Sequence, residues 1–165
     1  MSTMQVLPFY WSHGHEGRDL IFCMHGIGSC ADAFLPQREI ADHLDHRIVA
    51  WDAPGYRYSA DPVSEPGLDG WADAAADLIR SLGYDRSVVL GVSWGGVIAT
   101  RLALRYPDLV EALILADSSV GSGTSSKQAE AMRSRAATLT ELGAAKFAEQ
   151  RSPLLVAETT PSEVP

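Results

Sequence analysis

Five short apolar runs, each closed by turn-forming residues and separated by longer stretches with helical spacing, constrain this chain more than any other feature. They are Gln5 to Ser12, Leu20 to Met24, Ile48 to Trp51, Ser87 to Leu90 and Leu113 to Ala116. Strands joined through helices lie parallel, because a parallel pair needs a long crossover. Four of the five are almost wholly apolar, as strands buried on both faces must be. Pro8 marks the first as an edge strand.

The intervening stretches supply the helices. Asp69 is placed to cap one whose apolar face is Trp71, Ala75, Leu78, Ile79 and Leu82, with Gly83 as its stop. A second runs from about Trp94 to Tyr106, burying Val97, Ile98, Leu102 and Leu104, and ends before Pro107. A weaker pattern covers Asp32 to Leu44. The composition changes after Asp117: Ser118 to Ser126 reads SSVGSGTSS, a flexible connector, and Lys127 to Gln150 reads as one or two amphipathic helices broken near Gly143. The division expected is therefore 1–117 for the core, 118–126 for the connector and 127–165 for a partial lid with a polar tail. That tail, Ala157 to Pro165, holds nothing to bury.

Length permits a real core: 165 residues, 46% hydrophobic, bury roughly 70% of the extended chain's surface without disulfides or a metal. The balance of 13 Lys+Arg against 21 Asp+Glu leaves a charge of -8, the wrong sign for phosphate backbones or anionic bilayers, so neither nucleic acid nor membrane is an expected partner. The opening MSTMQVLPFYW lacks the basic start and apolar stretch of a secretory signal. Cys23 and Cys30 form neither a disulfide framework nor a CxxC pair, which points to a reduced, cytoplasmic protein.

The chemistry sits at the ends of the apolar runs. Gly91-Val92-Ser93-Trp94-Gly95-Gly96 is a GxSxG sequence directly after one run and directly before a helix. A serine on such a tight turn is pushed out over the sheet, and glycines two positions either side are needed because a Cβ there would collide with the neighbouring strand and helix. The same helix start aims its free N–H groups at that spot, so the Trp94 N–H can donate to an oxyanion. His25-Gly26-Ile27-Gly28-Ser29 ends the second run, where two glycines let the backbone turn and present the Ile27 N–H as a second donor. His25 itself reads as a structural histidine. Gly26 and Trp94 are candidates for contact with substrate. His13-Gly14-His15-Glu16 reads as a polar hairpin turn, and no metal or cofactor is assigned.

With the turn Asp52-Ala53-Pro54-Gly55-Tyr56-Arg57-Tyr58-Ser59, these motifs occur in the order found in the α/β-hydrolase family, which the chain resembles over about Gln5 to Asp117. Arg57 stands where that family usually has glycine. The resemblance implies a parallel-dominated sheet with helices on both faces, followed from Lys127 by the start of a helical lid. It implies Ser93 as nucleophile and the Ile27 and Trp94 amides as oxyanion hole. The match then stops: all five histidines precede Ser93, so the order serine, acid, histidine is not completed. Asp117 occupies a position where some relatives place the acid. The expectation is a truncated hydrolase, the N-terminal part of a longer one, with Leu113 to Ala116 as an exposed edge that self-associates or takes a complementing C-terminal segment. The implied activity is hydrolysis of a small carbonyl substrate, an ester, lactone or carbon-carbon bond, through a Ser93 acyl-enzyme. Two alternatives stand beside it: a non-catalytic binding protein of the same fold, and a cofactor-free peroxidase or oxygenase.

Overall fold

The computed structural model describes residues 6–154 and Thr159. The chain divides into two compact units, Met1–Val120 and Gly121–Pro165. The first holds five strands: β1 (Tyr10–His13), β2 (Leu20–Met24), β3 (Arg47–Trp51), β4 (Ser87–Val92) and β5 (Val110–Ala116). Their order across the sheet is β1-β3-β2-β4-β5, with β1 antiparallel to β3 and all other pairs parallel. The chain therefore builds outward from β2 on one side to β3, then returns to place β4 on the other. Such a reversal opens a crevice at the carboxyl ends of the strands, and Gly26 and Ser93 follow the two strands that border it.

Alternation along the strands sorts the core into two layers. Leu20, Phe22, Met24, Val49, Trp51 and Val89 form one, against α2 (Gly67–Ser81) and α3 (Trp94–Arg105). Cys23, Ile48 and Ala50 face the other way, against Ala31 and Phe34 of a 3₁₀ segment (Ala31–Gln37) and Ala41 of α1 (Arg38–Leu44). Pro36 explains why the Asp32 to Leu44 stretch is not one α-helix, since it removes a donor where the helix would need it.

Several expected boundaries shift. The first strand begins at Tyr10 rather than Gln5, which lies outside the described residues, and it is indeed an edge. Residues 14–19 make a turn but no hairpin, because β1 and β2 flank β3 instead of pairing with each other. Asp69 does not cap α2; Pro66 holds that position, and the Asp69 carboxylate instead pairs with Arg101 and Arg105 of α3. Leu104 is 71% exposed, and Ala99 fills the inward place on α3. β5 is apolar but mostly exposed, because it is the second edge and nothing among the described residues pairs with its outer side.

In the second unit, Ser125 accepts a hydrogen bond from the Gln128 N–H and starts α4 (Ser126–Arg151). Gly143, at φ 76° and ψ 163°, interrupts α4 where glycine was expected to break it. None of its residues is buried. No described helix is long and apolar enough to cross a membrane. The tail from Ala157 lies outside the described residues apart from Thr159.

Phe22 is fully buried and meets Trp51 edge to face at 5.6 Å between ring centroids. Phe22→Ala is expected to cost about 3–5 kcal/mol in denaturant unfolding, whereas Asp69→Asn, which breaks exposed ion pairs, leaves the midpoint nearly unmoved.

Candidate active site

β4 ends at Val92 and α3 begins at Trp94, so Ser93 must turn the chain in one residue. It does so at φ 52° and ψ -116°, a conformation that costs an L-residue of order 1–3 kcal/mol. The surroundings over-determine it. The Ser93 N–H donates to the Ala116 carbonyl at 2.9 Å, and the Gly96 N–H donates to the Ser93 carbonyl at 3.0 Å. A Cβ on Gly91 would stand 2.5 Å from Gly96 Cα, and one on Gly95 would run into the Met24 and His25 carbonyls. Both glycines are thus required by close approach of backbone, as the motif implies.

The loop after β2 lies against the same serine. A Cβ on Gly26 would sit 3.4 Å from Ser93 Cβ and 3.9 Å from its Oγ. The Ser29 N–H donates to the Gly26 carbonyl at 3.2 Å, closing a turn with Gly28 at φ 74°, a position that favours glycine. Ile27 occupies the tip of this turn, half exposed, and its N–H enters no turn hydrogen bond. The Trp94 N–H opens α3, where helix geometry provides no internal partner.

Two buried polar groups hold these loops. Asp52 is fully buried; one carboxylate oxygen accepts from the Ala31 N–H at 2.8 Å and the other from the Tyr58 N–H at 3.3 Å. His25 Nε2 accepts from the Ala53 N–H at 3.1 Å, which places the ring proton on Nδ1 for donation to the Gly26 carbonyl at 2.8 Å. Burial holds His25 below the usual imidazole range, against smaller upward effects from the Gly26 carbonyl and the Asp52 charge. With both nitrogens engaged, His25 is the structural histidine expected. Arg57 takes φ 43°, the left-handed backbone that glycine would adopt there, and its guanidinium is tied to Asp32, Cys30 and Tyr58. The loop shape therefore survives the missing glycine.

An aromatic group borders the elbow. Trp94 packs against Trp71 at 4.7 Å and Tyr56 at 5.6 Å, and Tyr56 meets His25 at 4.8 Å. Trp71 reads from sequence only as part of a helix face and Tyr56 only as a turn residue; the GxSxG turn brings them together around Trp94. A cavity of about 350 Å³ opens on the other side, lined by His25, Gly26, Ser29, Phe34, Leu90 and Val92 among others. Gly26 borders that cavity, and Trp94 does not.

Asp117 follows β5 at the same end of the sheet, exposed and at φ 47°. Its neighbour Ser118 donates to the Gly91 and Ala116 carbonyls, which keeps the segment close to the elbow. Of the other histidines, His13 pairs with Asp42, and His46 bonds the Leu44 carbonyl ahead of β3, at the far end of the sheet. Among the described residues, no group of three or more His, Cys, Asp or Glu converges on a metal position.

Two outcomes follow from this geometry. Gly95→Ala forces a Cβ into two backbone carbonyls that cannot swing aside, so denaturant unfolding should show a loss of at least about 1–3 kcal/mol, the cost of ordinary overpacking, or no folding at all. His25 binds its proton less readily folded than unfolded, so the unfolded chain is favoured as pH falls below about 6.5. An NMR titration should find its pKa below that value, and the denaturation midpoint should drop between pH 7 and pH 5 by an amount that His25→Gln removes.

Comparison with known proteins agrees with this architecture. The profile of the family described as alpha/beta hydrolase fold matches residues 19–151. Epoxide hydrolase 1 of Caenorhabditis elegans is 33% identical over 113 residues, covering 67% of this chain and 28% of that protein. A pimeloyl-[acyl-carrier protein] methyl ester esterase of Shewanella woodyi is 34% identical over 104 residues, 63% of this chain and 37% of that protein. The matched stretch thus spans only about a third of either curated relative. A solved structure from work on Nitrososphaera gargenis carboxylesterases superposes with a TM-score of 0.80 at 19% identity, over 94% of this chain and 56% of that one, a likeness of fold. From its elbow, its sheet order and the family profile, the chain belongs to the α/β-hydrolase family.

Proposed function

We propose that this chain carries the nucleophile and oxyanion hole of a serine hydrolase acting on a small carbonyl substrate, an ester, a lactone or an activated carbon-carbon bond. The observation that carries the reading is Ser93 itself, held at φ 52° beside Gly26. In this reading Ser93 Oγ adds to the carbonyl carbon, the carbonyl π pair moves to oxygen, and the Ile27 and Trp94 N–H groups stabilise the oxyanion. Collapse restores the carbonyl, expels the alcohol or carbanion, and leaves an acyl group on Ser93 that water removes. The methyl ester esterase among its relatives supports the ester reading.

The Oγ proton needs a base, and none of the five histidines follows Ser93. We assign the base to a complementing segment outside these residues, with Asp117 as the acid that would orient it. The two amides alone then leave about 10³ to 10⁴-fold acceleration over water, the residue of activity that oxyanion hole and binding retain without a triad. One observation favours the rival reading of binding without turnover: both nitrogens of His25 are already engaged. A reducing cytoplasm is the compartment proposed for a chain whose two cysteines are free.

A fluorophosphonate probe with and without added imidazole separates the two. Labelling of the wild type that imidazole accelerates and Ser93→Ala removes is the expected result. Labelling absent under both conditions, or equal in Ser93→Ala, leaves a binding protein.

A further inference from the structure

Arg47 opens β3 at the end of the sheet remote from Ser93. The pairings Leu20 with Arg47 and Ile21 with Val88 put it level with Ser87, six residues before the elbow, on the order of 20 Å at about 3.3 Å per strand residue. It is 6% exposed, among the few buried charges of the fold. A guanidinium presents five N–H donors and keeps its charge, so burial obliges the protein to supply acceptors.

The described residues supply few. Nη2 reaches Ser12 Oγ at 3.4 Å, the long limit of a hydrogen bond, and Glu16 Oε1 at 3.7 Å, beyond it. Glu16 is 87% exposed, so its carboxylate is held mainly by water. The Tyr84 ring lies 6.0 Å from the guanidinium carbon. Among the described residues the buried Nε–H has no acceptor, and the buried Tyr84 hydroxyl has no partner either. Arg47 and Tyr84 line one cavity of about 340 Å³, with Tyr10, Glu16 and Ser81 on its walls.

We propose that this cavity binds a small oxyanion, a carboxylate or phosphate group, held by the Arg47 guanidinium and the Tyr84 hydroxyl and displacing Glu16 from its mouth. Both residues line the cavity and each carries a donor left unmet among the described residues, and a flat oxyanion offers the several lone pairs a guanidinium fork takes up in parallel. The volume falls in the range of small-molecule sites. The chain's net charge of -8 repels anions in general, so an anion held here is held by these two side chains.

The test titrates the 165-residue chain separately with inorganic phosphate and with acetate, at ionic strength fixed by chloride, reading Arg Nε–Hε and backbone amide NMR signals. Saturable shifts of the Arg47 Nε–Hε and of Tyr84 and Gly17 amides are expected, and the arm with the tighter curve names the source. Tyr84→Phe keeps the ring and loses one donor, so affinity should fall about threefold to tenfold. Glu16→Gln removes the competing carboxylate, so affinity should rise about twofold or more. Arg47→Met should abolish binding; if it does not fold, the Tyr84 and Glu16 variants decide. The proposal is overturned by the absence of saturation with both anions, or by binding that neither Tyr84→Phe nor Glu16→Gln changes. It is equally overturned if Glu16→Gln destabilises the fold without tightening binding, since Glu16 is then Arg47's own partner.

Discussion

The approach of the α3 N-terminus to the carboxyl end of β2 is the constraint on which the rest depends. Gly95 touches down on the Met24 and His25 carbonyls with no room for a methyl group, and Gly91 and Gly96 meet each other across the turn. Only with helix and strand that close can one residue carry the chain from β4 into α3. Ser93 then has no relaxed conformation open to it. Its strain is offset by the Ala116 carbonyl on the neighbouring strand and by the packing of Ile98, Ala99 and Leu102 under the helix. The core thus holds a backbone that no local preference would select.

A second layer of control is polar and buried. Asp52 ties the segment after β3 to Ala31, and His25 ties the end of β2 to Ala53, so the segments after β2 and β3 are fastened to each other by two side chains. Ser59 extends the web, donating to the Asp52 carbonyl and accepting from the Phe9 N–H. Each member is satisfied, which is what makes such a web rigidifying rather than costly in a low-dielectric interior. Rigid loops keep Gly26 against Ser93, and that spacing is the prerequisite for an oxyanion hole formed before substrate arrives.

Much of this was legible in the residues, and the parts that were not share a cause. Apolar runs and glycine spacing located the strands, the elbow and the His25 loop, because those features answer to local sterics. The capping role expected of Asp69 failed because Arg101 and Arg105, thirty residues on, compete for its carboxylate. Leu104 failed because it lies off the inward face of α3, which is made by Ile98, Ala99 and Leu102. Trp71 and Tyr56 gave no sign of meeting at Trp94. Pairings across long sequence separations are set by topology, and a single sequence carries topology only indirectly.

The elbow and the base are separable in physical terms. Ser93 is positioned by backbone contacts at Gly91, Gly95 and Gly96 and by the Ala116 carbonyl, and none of these is made by a histidine side chain or a carboxylate. A strained serine with two nearby amides can therefore persist whether or not a proton acceptor is in reach. Strain and oxyanion donors lower the energy of the charged intermediate, whereas the base governs how readily the hydroxyl enters the reaction. On the reading proposed for Ser93, the two act on different parts of the barrier, so the loss of one would leave part of the rate in place.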